Sequence, residues 1–249
     1  MLVGSIYAVT HAPNWPEVKA AFFDWDAYRR SFPAIADAFL LNVKIFCIAE
    51  AIILITALGL AVLRSLPGPV FFPVRALAIA YADFFRGVPT ILVIALLGFG
   101  APALAIEGIP TSTTFWGIVS LVLIYTAYVS EVYRAGIESI HPSQSAAARS
   151  LGLTQLQAMR FVVVPQAVRR VIPPLLNDFI GLQKDTALVG ILGSVEAFKQ
   201  AQIEVSADFN FTHYLVAATL FVAITIPLAR FTDWLVARDR RKRQAGSLV

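Results

Sequence analysis

The sequence predicts an all-α membrane protein of about five transmembrane helices, N-terminus outside and C-terminus in the cytoplasm, with a helical cytoplasmic loop between the third and fourth spans. Three observations lead there. The chain is 58% hydrophobic and only 14% charged, with mean hydropathy +0.72, too little polar sequence to cover the core that 249 soluble residues would build. Five runs approach the roughly 20 apolar residues a helix needs to cross hydrocarbon: about 39–63, 87–105, 115–134, 172–195 and 213–232. The basic residues collect in alternate connections between those runs.

In chain order, residues 1–37 mix apolar residues with Glu17, Lys19, Asp24, Asp26, Arg29 and Arg30, which does not read as a cleavable signal. They are expected to form an extracytoplasmic or interfacial lead-in with a short amphipathic helix. A transmembrane domain over 38–236 and a basic cytoplasmic tail over 237–249 follow. The first span carries Glu50 in its middle. Residues 70–86, with Arg75, Asp83, Arg86 and Pro73, read as an interfacial helix feeding the second span, a sixth span being the alternative. Gly87-Val88-Pro89 should bend the chain there, with Arg86 snorkelling to headgroups. In the third span Glu131 and Arg134 are three apart and suit a local ion pair. The fourth contains Lys184 and Asp185, and the fifth Pro227.

Orientation follows from Arg64, Arg75 and Arg86 in one connection, Arg134, Arg149, Arg160, Arg169 and Arg170 in another, and Arg238, Arg240, Arg241, Lys242 and Arg243 in the tail. Glu107, Glu196, Lys199, Glu204 and Asp208 lie in the opposite loops. The N-terminus is therefore outside and the C-terminus inside, which an odd number of spans satisfies.

The same distribution removes other function classes. Net charge +4 and pI near 9.4 arise from loop residues with no dedicated basic face, so no nucleic-acid partner is expected. Cys47 is the only cysteine, and His11, His141 and His213 are far apart, so no disulfide or metal site is expected. Neither a phosphate-binding loop nor a dinucleotide fingerprint occurs, so no cofactor and no catalytic residues are assigned.

The stretch IHPSQSAAARSLGLTQLQAMRFVVVPQAVRR is unlike an ordinary connector. Ser143 suits an N-cap, and SAAARSL a short helix ended by Gly152. Thr154 and Gln157 have capping-box spacing, and Leu156, Met159, Val162 and Val163 give the next helix an apolar side until Pro165 ends or bends it. An alanine-faced helix at a glycine corner permits close backbone approach to another protein. The alternative is a hairpin packed under its own membrane domain.

This loop resembles the EAA motif of ABC-importer permeases, with Ala147, Ala148, Gly152, Val162, Val164 and Pro165 in register. Ala146 stands where the family has Glu; at the third position after a Ser143 cap, Glu would complete a capping box worth about 1 kcal/mol or less. FFRGVPTIL (84–92), AYVSEVYRAGIESI (127–140) and LNDFIGLQKDTALVGIL (176–192) resemble segments of the polar amino-acid branch, in order, so the likeness covers roughly 38–240. It implies a multi-pass permease of the bacterial inner membrane that translocates amino acids and has no ATPase site of its own. The implied partners are an ATP-binding cassette ATPase dimer, a second permease copy or paralogue, an extracytoplasmic amino-acid-binding protein and membrane lipid. The coupling residues would be Ala147, Ala148, Arg149, Gly152 and Pro165. Independently of the likeness, charges inside a membrane tend to face a water-filled path, which makes Glu50, Lys184 and Asp185 candidates for solute contact. Glu50 pairing with Lys44, and Lys184 bonding to Asp185, are the structural alternatives. Importers of opines or other small amines, and an ATP-independent transporter, are the remaining functional alternatives.

Overall fold

The computed structural model describes residues 10–66 and 68–246, and their side chains except those of residue 156 and residues 239–246. The first nine residues of the lead-in and the last three of the tail lie outside the described residues, as do the side chains of Arg240, Arg241, Lys242 and Arg243. Helix α1 is Trp15–Phe22 and α2 is Trp25–Arg64, a 40-residue helix that runs through residue 37, where the lead-in was expected to end. The Asp24 carboxylate starts α2 by accepting from the backbone N–H of Asp26 (2.9 Å) and Ala27 (3.2 Å). The buried positions of α2, from Ala27, Ser31 and Ile35 to Ala57 and Ala61, recur every three to four residues and form one stripe.

Helix α3 (Phe72–Gly87) and α4 (Thr90–Ala103) meet at 103°, at the Gly87-Val88-Pro89 break. Pro89 lacks the N–H that would continue the α3 ladder. Helix α5 is Thr113–Glu138, α6 is Pro142–Ser150 and α7 the single turn Gln155–Ala158. A π-helical turn, Met159–Val163, leads into α8 (Val164–Asp185), which passes into a 3-10 segment, Thr186–Leu192. Helices α9 (Ala197–Asp208) and α10 (Thr212–Gly246) complete the chain.

Among the described residues, three helical runs are long and apolar enough to cross a membrane, Trp15–Arg64, Thr113–Glu138 and Thr212–Arg238, and the bent α3–α4 pair makes a fourth if it is one span. The fourth span expected at 172–195 is instead the C-terminal half of α8 followed by the 3-10 segment. Arg169, Arg170, Asp178, Lys184 and Asp185 make α8 too polar to be counted among those runs.

The core forms where α2 lies on α5. Ile45, Ala49, Ile53 and Ala57 pack against Leu121, Ile124, Tyr125 and Val129, and Leu182 and Val189 fill the third side. Alanines on α2 let the backbones approach, and the Thr56 and Thr126 hydroxyls bond across the gap at 2.7 Å. Two glycines receive the 3-10 segment: a Cβ at Gly117 would lie 2.4 Å from Val189, and one at Gly98 2.3 Å from Leu192.

One buried polar chain then ties the elements together. Glu196, fully buried, caps α9 by accepting from the N–H of Phe198 (2.9 Å) and Lys199 (2.8 Å), and from Asn42 Nδ2 of α2 (2.9 Å). Asn42 Oδ1 accepts from Ala197 N–H at 3.0 Å, and its Nδ2 also donates to Thr186 Oγ1 at 3.1 Å. Thr186 donates to the Gln183 carbonyl (2.7 Å), and Thr225 of α10 donates to Gln183 Oε1 (3.1 Å). The sequence gives Glu196 as an outer-loop charge; its burial follows from the free N–H groups of α9, which a carboxylate satisfies out of water. Beyond it, Asp24 bonds Asn210 (3.1 Å) and Thr212 (3.0 Å), and His213 sits between Ser31 (2.8 Å) and Asp208 (3.1 Å). Partial loss of water works against the Asp208 carboxylate, but the Asn210 N–H and the His213 ring outweigh it and hold its pKa below the ordinary range.

Asn42→Ala leaves Glu196 and the Ala197 N–H each short of a partner. It should destabilise the detergent-solubilised protein by about 2 kcal/mol. A thermal-unfolding midpoint equal to wild type would show that the Asn42–Glu196 contact is incidental.

Candidate functional site

Of the charges expected inside the membrane, Asp185 shares a face of α8 with Asp178, Glu50 comes from α2, and Lys184 is exposed. Asp178 and Asp185 are seven residues apart, two turns along one helix face. The Tyr125 hydroxyl of α5 donates to Asp185 Oδ2 at 2.9 Å. Glu50 of α2, half-buried, lies within electrostatic reach of Asp178 and of Tyr133. Asp178 Oδ2 is buried with no hydrogen-bond partner among the described residues. The arrangement is an acidic strip, Glu50–Asp178–Asp185, backed by tyrosines of α5, able to receive a cationic group.

Lys184 and Asp185 form no hydrogen-bonded ion pair among the described residues. Asp185 accepts from Tyr125, whereas Lys184 is exposed and acts on Asp185 only through its charge. Nor does Glu50 form an ion pair with Lys44 among the described residues; Lys44 is exposed and six residues away, on a different face of α2. Sequence reasoning passed over Asp178 and Tyr125. The seven-residue spacing of the two aspartates was the available signal for the first; the second required the packing of α5 on α8. Nearby, an open groove of about 530 Å³ runs between Ile91, Leu188, Ile191 and Phe198, with Lys199 and Gln202 as its polar lining.

The loop holds two short helices about a left-handed corner. Gly152 has φ +90°, a region that a β-carbon makes costly. The Thr154–Gln157 capping box is present in both directions: Thr154 N–H to Gln157 Oε1 at 2.9 Å, and Gln157 N–H to Thr154 Oγ1 at 3.3 Å.

Three loop details differ from expectation. The first cap is His141, whose Nδ1 accepts from Ser143 N–H at 3.2 Å, because Pro142 occupies the first helical position that proline favours. Ala146 is thus two residues too deep to complete a capping box with this cap. Ala148 is buried (5% exposed), so the outward face is Ala147, Arg149 and Leu151, the last 86% exposed. Pro165 does not end the second helix. The π turn supplies a bond from Val164 N–H to Met159 O, and the chain continues helically to Asp185 with Pro165 in the first turn of α8.

At the loop's root, Glu131 accepts from Arg134 as its spacing suggests, and also meets Arg64 of α2 (2.9 Å) and Arg86 of α3 (3.8 Å). Arg86 is therefore not simply a headgroup anchor. Arg134 also binds Glu138, and Arg170 of α8 donates to the Ser139 carbonyl.

Comparison with known proteins bears on the family and the fold. The family of binding-protein-dependent transport system inner membrane components matches residues 70–241. A probable amino-acid permease protein of Bacillus subtilis, YxeN, is 34% identical over 204 residues, covering 82% of this chain and 90% of that protein. The glutamate/aspartate import permease protein GltK of Escherichia coli O157:H7 is 30% identical over 217 residues, covering 82% and 96%. Among solved structures, an amino acid ABC transporter crystallised with histidines superposes with TM-score 0.78 at 28% identity, covering 86% of this chain and 98% of that one. The MetNI methionine ABC transporter shares the fold, with TM-score 0.64 at 17% identity over 82% and 95%.

Gly152→Val meets open space but must hold a positive φ, so the corner, not the membrane helices, should give way. Limited proteolysis with trypsin should cut faster at Arg149 and Arg160 in this variant, with the thermal midpoint little changed. Equal cleavage rates would mean that the corner does not hold the loop.

Proposed function

The chain belongs to the family of binding-protein-dependent transport system inner membrane components, and from that premise we propose that it carries amino acids across the inner membrane, with Glu50, Asp178 and Asp185 receiving the solute's ammonium or cationic side chain. It is the permease subunit of an ABC importer, a multi-pass inner-membrane protein whose energy comes from a partner ATPase, with a substrate-binding protein as the second kind of partner. Relatives named for glutamine, glutamate/aspartate and arginine support the solute class. The observation that carries the solute assignment is the acidic strip. Carboxyl groups are expensive inside a bilayer, and Asp178 Oδ2 has no hydrogen-bond partner of its own, as a site for an arriving cation would.

The finer assembly is part of the proposal: an ATPase dimer, a second permease copy or paralogue beside this one, and surrounding lipid. The ATPase is taken to seat α6 through Ala147, Arg149 and Leu151, with Gly152 setting the corner, Ala148 packed inward, and Pro165 starting the helix that leads to Asp185. Five crossings are supported by α8, whose 22 residues span about 33 Å at the α-helical rise even though its charges obscure it. Asp24 meets Thr212 at one end of the bundle and Arg64 meets Glu131 at the other, which supports an outside N-terminus and an inside loop.

Two measurements test these readings. In the complex reconstituted with its ATPase and binding protein, arginine, glutamine and glutamate are compared for uptake and stimulation of ATP hydrolysis. Glu50→Gln should raise the KM for a cationic amino acid by about tenfold, the weight of one lost charge contact of roughly 1.4 kcal/mol, and less for glutamate. Unchanged kinetics across all three solutes would remove Glu50 from the path. Separately, single cysteines in a background lacking Cys47 report topology: positions 12 and 206 should react with an impermeant thiol reagent in intact cells, and 143 and 245 only after permeabilisation. Labelling of position 143 from outside would overturn the orientation.

A further inference from the structure

Glu131 meets three guanidinium groups, one from its own helix and two that arrive from α2 and α3. Arg64 closes α2 and is 92% removed from solvent, its side chain 8% exposed, with Nε finding no partner of its own. Arg86 occupies the last turn of α3, immediately before the 103° elbow into α4. Arg134 lies one turn further along α5 and holds Glu138. The next residue, Ser139, gives its carbonyl to Arg170 of α8, and His141 then caps α6. The two roots of the loop, 138–142 and 170, are thus joined to each other at Ser139, and Glu138 connects them through Arg134 to the carboxylate that also holds the ends of α2 and α3.

Without Glu131, Arg64 and Arg86 would have no carboxylate between them and Arg134 would keep only Glu138, so the meeting of the three depends on it. The side of Glu131 toward α8 is not filled. A groove of about 290 Å³, lined by Glu131, Ala135, Ser139, Arg170 and Pro174, opens beside the close contact of Gly136 on α5 with Val171 on α8. An ionic cluster with one wall free and three separate elements attached can hold more than one arrangement of those elements.

We propose that Glu131 is a positioning residue that links the loop helices to the α3–α4 elbow, so that a displacement of the loop changes the elbow through Arg134, Glu131 and Arg86. The local pair Glu131–Arg134 by itself would only stiffen α5; the contacts to Arg64 and Arg86 make it a junction. This rests on the reading of the loop as the element that engages the ATPase.

The test uses the full complex in proteoliposomes and reads solute transported per ATP hydrolysed. Arg86→Gln removes only the elbow link, at a side chain that is 39% exposed, and should assemble normally. Solute moved per ATP should fall at least about threefold, as loss of a coupling contact entails, and Arg86→Lys should recover part of it. Glu131→Gln should lower the same ratio, and the double variant should be no worse than the lower single variant, since both break one link. If transport and hydrolysis fall together in proportion to assembled complex, the role is structural and the proposal fails. An unchanged ratio in Arg86→Gln fails it too. Leu151→Asp, at the exposed corner, separates the two levels. If that variant uncouples and Arg86→Gln does not, the junction is wrong; if neither does, the loop reading is wrong with it.

Discussion

Glu196 is a carboxyl group with no access to water, set where α2, the 3-10 segment and α9 converge, and the placing of the candidate path depends on it. Its oxygens are filled by two N–H groups of α9 and by Asn42, and Asn42 in turn holds Thr186. A buried carboxyl stripped of one partner is far more costly than one satisfied, so these elements are fixed together rather than merely packed. The 3-10 geometry of Thr186–Leu192 follows, since α8 must stop at Asp185 for Thr186 to reach Asn42 while Val189 and Leu192 settle against Gly117 and Gly98.

That break is what gives Asp185 its place. A helix continuing straight past residue 185 would carry the chain away from α5; ended there, it leaves Asp185 against Tyr125 and Asp178 two turns below, toward Glu50. The acidic strip thus combines an element boundary, set by polar contacts outside it, with the close packing of α2 on α5. Polar groups in the membrane interior serve two purposes here. Some are fully satisfied and hold the framework; a few, such as Asp178 Oδ2, are left with capacity to spare.

At the other end of the bundle the logic is ionic. The loop is rigid in itself, through the His141 cap, the Gly152 corner and the reciprocal Thr154–Gln157 bonds. It is joined to the membrane helices by charged contacts at its two roots. Hydrogen bonds to the Asp24 and Asp208 carboxylates hold one end of the bundle, and guanidinium–carboxylate contacts hold the other.

Much of this was legible from the residues alone. Apolar length and loop charge determined the helical membrane class, Gly87-Val88-Pro89 the elbow, Thr154 and Gln157 the second cap, and Gly152 the left-handed corner, because each rests on interactions within a few residues of chain. Local rules misplaced the first loop cap by two residues, having weighed the serine hydroxyl above the preference of proline for the first turn. Partnership across the sequence was decided only by tertiary structure: Asn42 with Glu196 at 154 residues' separation, Tyr125 with Asp185 at 60, Arg64 with Glu131, and the inward turn of Ala148. A helix fixes which residues share a face, but which face meets which neighbour depends on how every other face is buried, and no short stretch of sequence contains that information.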